Sequence, residues 1–267
     1  MKPIFIIGNQ RSGTTWLYQL LCAYLEVGFI DQIAARYPDE PVLGIQMSKK
    51  SLPSPVSFSS SYGNGASSGD PHEFGWFWLR WFPWRRRELD APEEGELDKV
   101  DWLGLRAELS AITHEFNGLP TVYKCAGMGF YAARVAMEIP EARFVHIHRD
   151  LDMVAVATLH ARRMRHGSEQ KWYGYKLPGF ERLKQLPPLD QIARQVRECQ
   201  GSINDQLVLL AKDRLYSTAY EFIRSSPFQV LMELNHLIRA NPRSVGRLTE
   251  YQVSQEEVGA LIEALHA

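Results

Sequence analysis

Between Gly8 and Thr15 the chain reads Gly-Asn-Gln-Arg-Ser-Gly-Thr-Thr, a set of residues suited to holding an anion. Two glycines bound the turn, so backbone N–H groups can come close to a ligand. Arg11 supplies one cation, and Ser12, Thr14 and Thr15 supply hydroxyls. The spacing from Gly8 to Gly13 is that of the nucleotide phosphate loop G-x-x-x-x-G-K-[ST], with Thr14 at the lysine position. In a triphosphate enzyme that lysine reaches the β- and γ-phosphates, and the next hydroxyl holds Mg²⁺. Its replacement argues against an ordinary ATPase or kinase. It fits a 5′-phosphate held by backbone and hydroxyls, with Arg11 as the cation inside the loop.

Such a loop needs a strand before it and a helix after it. Ile4 to Ile7 is an apolar run short enough for a buried parallel strand, and Trp16, Leu17, Leu20, Leu21, Tyr24 and Leu25 recur at helical spacing. Similar corners follow downstream. A strand over Leu119–Tyr123 leads into Lys124, and a strand over Ala142–His148 leads into Arg149 and a helix. A strand over Asp213–Thr218 ends at Tyr220. Strand–helix–strand repetition predicts an α/β fold, one domain over 1–267, with a P-loop-containing parallel sheet flanked by helices on both faces. Ligands of such sheets bind outside the carboxyl ends of the strands.

The stretch QRSGTTWL resembles the 5′-phosphosulfate loop of sulfotransferases that use 3′-phosphoadenosine 5′-phosphosulfate (PAPS), with arginine at position 11 as in tyrosylprotein-type and many bacterial members. The resemblance implies that Arg11, Ser12, Gly13, Thr14, Thr15 and Trp16 hold the donor's 5′ end. It also implies that Arg149 grips the 3′-phosphate. Around Arg149 the family signature Arg-Asp-Pro-x-Asp-Val is kept at Asp150, Asp152 and Val154. Leu151 replaces the proline, and the later serine position is Ala157, with Thr158 beside it. By the same resemblance Lys124 contacts the moving sulfonate, although Cys125-Ala126-Gly127 replaces a following proline, and Tyr220 lies by the adenine. Asp31 stands at about the distance of the tyrosylprotein-type general base; His72 and Glu73 are alternatives. The C-terminal loop that closes on the 3′-phosphate in cytosolic members is absent, and Arg243 and Arg247 are candidates to replace it.

The implied reaction moves a sulfonate from PAPS to a hydroxyl, or to an amine, releasing adenosine 3′,5′-bisphosphate and requiring no metal. The implied acceptor is a small molecule, or a carbohydrate or lipid hydroxyl. Two other readings stand beside it: a P-loop nucleotide or nucleoside kinase, and a non-catalytic nucleotide-binding relative.

The rest of the chain sets bounds. With 267 residues, 45% hydrophobic, 23% charged and a net charge of -1, no global basic field is present for nucleic acid, so any anion site is local. Cys22, Cys125 and Cys199 are widely spaced and read as reduced core residues of a cytoplasmic protein; no signal or membrane-spanning segment is evident. Residues 48–71 are rich in Ser, Gly and Pro and read as a solvated loop or a lid over the acceptor site. The aromatic run from His72 to Trp84 reads partly as core and partly as the wall of a pocket. Arg85–Arg87 reads as a solvated face. The basic stretch His160–His166 reads either as charge near the cofactor or as a solvated helix face. His146 and His148 share one side of a strand without an evident third metal ligand. His148-Arg149-Asp150-Leu151 imitates the kinase catalytic loop but lacks its asparagine. Ser254 to Glu257 reads as a capping box.

Overall fold

A computed structural model describes residues 2–52, 54–61, 64–84 and 95–243. The expectations placed on Arg85–Arg87, Arg247 and the Ser254 capping box lie outside these residues. β1 (Pro3–Gly8) is wholly buried and turns through the phosphate loop into α1 (Thr14–Tyr24). Next come α2 (Pro41–Lys50), the two-residue strands β2 (Ser60–Ser61) and β3 (Asn64–Gly65), α3 (Gly75–Trp81) and α4 (Trp102–Glu115). β4 (Thr121–Lys124), α5 (Ala132–Glu138), β5 (Arg143–His148) and α6 (Leu151–His166) follow. The one-turn α7 (Phe180–Leu183), α8 (Pro188–Leu207), β6 (Leu215–Ala219), α9 (Tyr220–Ser225) and α10 (Pro227–Ile238) complete the described chain.

The main sheet has the order β4-β1-β5-β6 and is parallel throughout. Ile6 lies opposite Lys124, Gly8 opposite Ile147 and His148 opposite Ala219, so the four carboxyl ends share one edge. The chain leaves β1 toward β4 on one side and leaves β5 toward β6 on the other. Between β1 and β5, where these connections diverge, an α/β sheet opens its ligand crevice.

Successive residues of β1 point to opposite faces, and both faces are covered. Ile4 and Ile6 pack with Leu17 and Leu21 of α1 and Leu234 of α10. Phe5 and Ile7 pack with Trp78 of α3, Leu109 of α4 and Ile203 of α8. Burial on both sides explains why the strand reads as an unbroken apolar run.

Two expectations change here. The aromatic run goes mainly to the core: Phe74, Phe77, Trp78, Phe82 and Trp84 are buried, and the Trp78 ring meets Phe5 edge-on. Trp76 stays exposed. In the 48–71 segment α2 runs on through Lys50, and the described remainder is tied around buried Asp70. Its carboxylate accepts from the Ser57 and Ser67 N–H groups at 2.7 Å each. A buried carboxylate satisfied this way ties the two ends of the described loop together. Among the described residues, no helix is long and apolar enough to cross a membrane.

Candidate active site

The phosphate loop is shaped by its own hydrogen bonds. The Ser12 N–H and hydroxyl both reach the Asn9 carbonyl, at 3.2 and 2.7 Å. Ser12 is wholly buried, so its hydroxyl builds the turn instead of facing a ligand. Gly13 adopts φ 95°, and a Cβ there would drive into the Tyr220 ring. Arg11 also lies in the left-handed region, at φ 64°, a conformation that costs a non-glycine residue on the order of 1–2 kcal/mol. α1 begins without a side-chain cap or an acidic residue in its first turn. The N–H groups of Thr14, Thr15 and Trp16 precede the first intrahelical bond, from Leu17 N to Gly13 O at 3.2 Å. A helix end of this kind can hold an anion.

The corner after β5 meets this loop directly. Arg149 Nη1 donates to the Arg11 carbonyl at 3.2 Å, and the guanidinium lies 4.5 Å from the centre of the Tyr220 ring. Tyr220 in turn meets Trp16 edge-on at 6.3 Å. Among the described residues, the buried Arg149 Nε has no hydrogen-bond partner, leaving donor capacity on that side chain for a ligand. Asp150 caps α6 by accepting from the Asp152 and Met153 N–H groups at 3.0 Å each. Thr158 is not at this mouth. It is fully buried and donates its hydroxyl to the Val154 carbonyl at 2.8 Å, the usual back-bond of a threonine inside a helix.

At the end of β4, Lys124 is 3% exposed and ion-paired with Glu73, whose side chain is 50% exposed. The same ammonium donates to Thr15 Oγ1 at 2.6 Å. Glu73 is placed there by the chain before α3, where the His72 N–H bonds the Ile30 carbonyl at 2.8 Å. His72 Nδ1 accepts from the Phe74 N–H at 2.9 Å, and burial holds its pKa below the ordinary histidine value. One ring nitrogen of His72 is therefore already committed to its own turn. Asp31 is committed too. Its Oδ1 accepts from the N–H groups of Ile33 and Ala34 at 3.0 and 2.8 Å, and its Oδ2 accepts from the Ser48 hydroxyl. That carboxylate caps a 3₁₀ turn.

Arg243 lies away from the site. Its Nε bonds the Leu25 carbonyl at 3.0 Å beside the Phe29 ring, at the far end of α1. Eleven helical residues put about 16 Å between that end and the phosphate loop.

The basic stretch in α6 divides. Arg163 and Arg165 are exposed, whereas Arg162 is buried among the oxygens of Glu169, Gln191 and Gln195. His146 bonds Ser217 Oγ at 2.8 Å, and among the described residues no group of three His, Cys, Asp or Glu is placed to hold a metal. Tyr173 was not singled out by the sequence; burial raises its pKa above the ordinary tyrosine value, and the Arg11 charge opposes that shift. A glycine between two tyrosines was the only local signal.

A family model described as Sulfotransferase family matches residues 3–238. The chain belongs to the sulfotransferase family. Among curated proteins, none matches it. Solved sulfotransferases share the fold. STF1 from Mycobacterium tuberculosis H37Rv aligns with TM-score 0.56 at 16% identity, over 88% of this chain and 67% of that one. STF9 from Mycobacterium avium aligns at 0.54 and 12% identity, over 90% and 64%. The sulfotransferase domain from the curacin biosynthetic pathway aligns at 0.51 and 14% identity, over 90% and 74%. This sulfotransferase therefore spans about two thirds to three quarters of the lengths of those relatives.

Proposed function

We propose that this protein transfers a sulfonate from PAPS to a hydroxyl, or to an amine, of a small-molecule, carbohydrate or lipid acceptor. The observation that carries the reading is the contact between the two corners, Arg149 Nη1 on the Arg11 carbonyl. An anion at the N-terminus of α1 and another at Arg149 would flank one adenosine. The donor fits what is present: an uncapped helix end, a glycine turn with no room for a Cβ, and an arginine whose buried Nε has no partner among the described residues.

When bound, the donor supplies a sulfonate on an anhydride oxygen whose departure releases adenosine 3′,5′-bisphosphate. Arg11, Gly13, Thr14, Thr15 and Trp16 hold its 5′ end through backbone N–H groups, the threonine hydroxyls and the Arg11 cation. Arg149 holds the 3′-phosphate, and Tyr220 offers its ring to the base. Lys124, with Arg11, offsets charge that develops on the leaving oxygen, as preorganised cations do in phosphoryl transfer. Glu73 takes the acceptor's proton as the new oxygen–sulfur bond forms and the sulfur–phosphate oxygen bond breaks. It is the choice among three because the Asp31 carboxylate is spent on a cap and His72 on its own turn. Three buried free cysteines suit a reducing compartment, and we place the protein in the cytoplasm.

Calorimetry with adenosine 3′,5′-bisphosphate and with ATP–Mg²⁺, together with radiolabelled PAPS against a panel of hydroxylated acceptors, tests the reading. Tight binding of the bisphosphate with label transfer is expected. Binding of ATP–Mg²⁺ in preference to the bisphosphate overturns it.

A further inference from the structure

Two segments far apart in sequence are moored on one turn of α8. From the phosphate loop, buried Asn9 donates its Nδ2 to the Val196 carbonyl at 2.9 Å, and its own carbonyl takes the Ser12 N–H and hydroxyl. From the stretch between α6 and α7, the carbonyls of Tyr173 and Tyr175 accept from Nε2 of Gln195, next to Val196, at 2.8 and 3.1 Å. The shared mooring sets the strap Trp172–Tyr175 against the loop. Gly174, at φ 91°, lies so close to Gln10 that a Cβ would overlap the side-chain amide. Gln10 Nε2 is 3.5 Å from the Tyr173 carbonyl. A backbone approach this close calls for glycine.

The Gln195 amide has its direction fixed from behind. Arg162 is fully buried and donates to Gln195 Oε1 at 3.3 Å, to Gln191 Oε1 at 2.8 Å and to the Glu169 carbonyl at 3.1 Å. A guanidinium only donates, so it turns the oxygen of each glutamine toward itself and leaves each Nε2 facing away. Gln191 Nε2 then meets the carbonyls of Lys184 and Leu186 at 3.1 and 2.8 Å, and Gln195 Nε2 meets the strap. The Trp172 ring centre lies 4.9 Å from the guanidinium, at the start of the same strap. A buried network in which each member orients the next favours one arrangement.

We propose that Gln195, oriented by Arg162, is a positioning residue of the donor site. It holds the strap against Gln10, the neighbour of Arg11, and so keeps the turn in the shape that receives the donor's 5′ end. This rests on the PAPS reading above. The action runs through the backbone of Tyr173 and Gly174, not through contact with the donor. A loop ordered before binding spends none of the binding energy on being ordered.

The test is Gln195→Glu, which keeps the shape and the oxygen that Arg162 meets but removes the donor to the strap. It is measured alone and with Gln10→Ala, which deletes the amide on which the strap bears. Gly174→Ala, which pushes the strap off Gln10 without touching the Arg162 network, is the second variant, in the same two backgrounds; it decides the matter should Gln195→Glu fail to fold. Calorimetry with adenosine 5′-phosphate and with adenosine 3′,5′-bisphosphate gives the affinities, and thermal melts show where each variant is folded. Each variant alone is expected to weaken both nucleotides by the same factor, about fivefold or more, because the 5′ end is what they share. In the Gln10→Ala background the further loss should be less than about twofold. A brace that serves only stability would lower the melting temperature and leave the affinities of the folded protein unchanged. Affinities within about twofold of wild type, or an equal loss with and without Gln10, overturn the proposal, while a wild type that binds the bisphosphate and transfers label leaves the PAPS reading intact. A wild type that does neither overturns both.

Discussion

Lys124 and Glu73 form an ion pair at the mouth of the phosphate loop, and the same ammonium donates to Thr15 Oγ1 at 2.6 Å. The lysine is almost fully buried and the glutamate half exposed. The cation is thus anchored against the loop while the carboxylate faces solvent, the side from which an acceptor must arrive. That polarity suits a base that meets the acceptor first and a cation that meets the leaving group.

Glu73→Gln should lower turnover about 100-fold or more, the usual cost of losing a general base, with bisphosphate affinity within threefold. Asp31→Asn, whose amide oxygen can still take the cap bonds, should instead keep stability within about 1 kcal/mol of wild type, with turnover within a few fold. Steady-state kinetics and thermal melts on both variants check the assignment. A folded Asp31→Asn protein as inactive as Glu73→Gln would return the base to Asp31.

Arg149→Ala should weaken adenosine 3′,5′-bisphosphate binding about 10- to 100-fold. That is the loss expected from charge-assisted hydrogen bonds worth about 1.5–3 kcal/mol. Adenosine 5′-phosphate, which lacks the 3′-phosphate, should bind wild type and variant alike. Paired titrations separate the two ligands, and equal losses for both would mean that Arg149 acts only by supporting the Arg11 carbonyl.

The strand, turn and helix from Pro3 to Tyr24 were legible because their signals are local: an apolar run, glycines at fixed spacing, then helical periodicity. The preference for Glu73 as the proposed base was not. Distance along the chain favoured Asp31, but its carboxylate is taken by N–H groups two and three residues on, a turn habit of aspartate. Glu73 becomes distinctive only when β4 brings Lys124 against it. Arg162 sits in a basic run that reads as solvated, yet Gln191 and Gln195, a turn apart on α8, draw it inside. Thr158 looked like a substitute for a missing serine. The inner face of α6 instead spends its hydroxyl on Val154.

Gly13→Ala should be damaging out of proportion to its size. The residue adopts φ 95°, and its new methyl would strike the Tyr220 ring. A cost of roughly 1–3 kcal/mol is expected from the backbone conformation alone, read as a lowered thermal midpoint. Adding Tyr220→Ala relieves the collision but not the backbone strain, so recovery should be partial. Full recovery would show that φ at this position is not a constraint.

His146 should make the fold acid-sensitive. The ring is 3% exposed, bonds Ser217 Oγ through Nδ1 at 2.8 Å, and stands 5.8 Å from the His148 ring. Burial, reinforced by His148, lowers its pKa from 6.5 to about 4. Between those values the unfolded chain binds the proton and the folded chain does not, so stability falls as pH drops through this window. The contribution of this one site is at most about 3 kcal/mol, fully present above pH 6.5 and exhausted near pH 4. Urea unfolding at closely spaced pH values should show it as an acid limb. His146→Asn should be less stable at neutral pH but lose less on acidification. An acid limb of unchanged slope in the variant would place the sensitivity elsewhere.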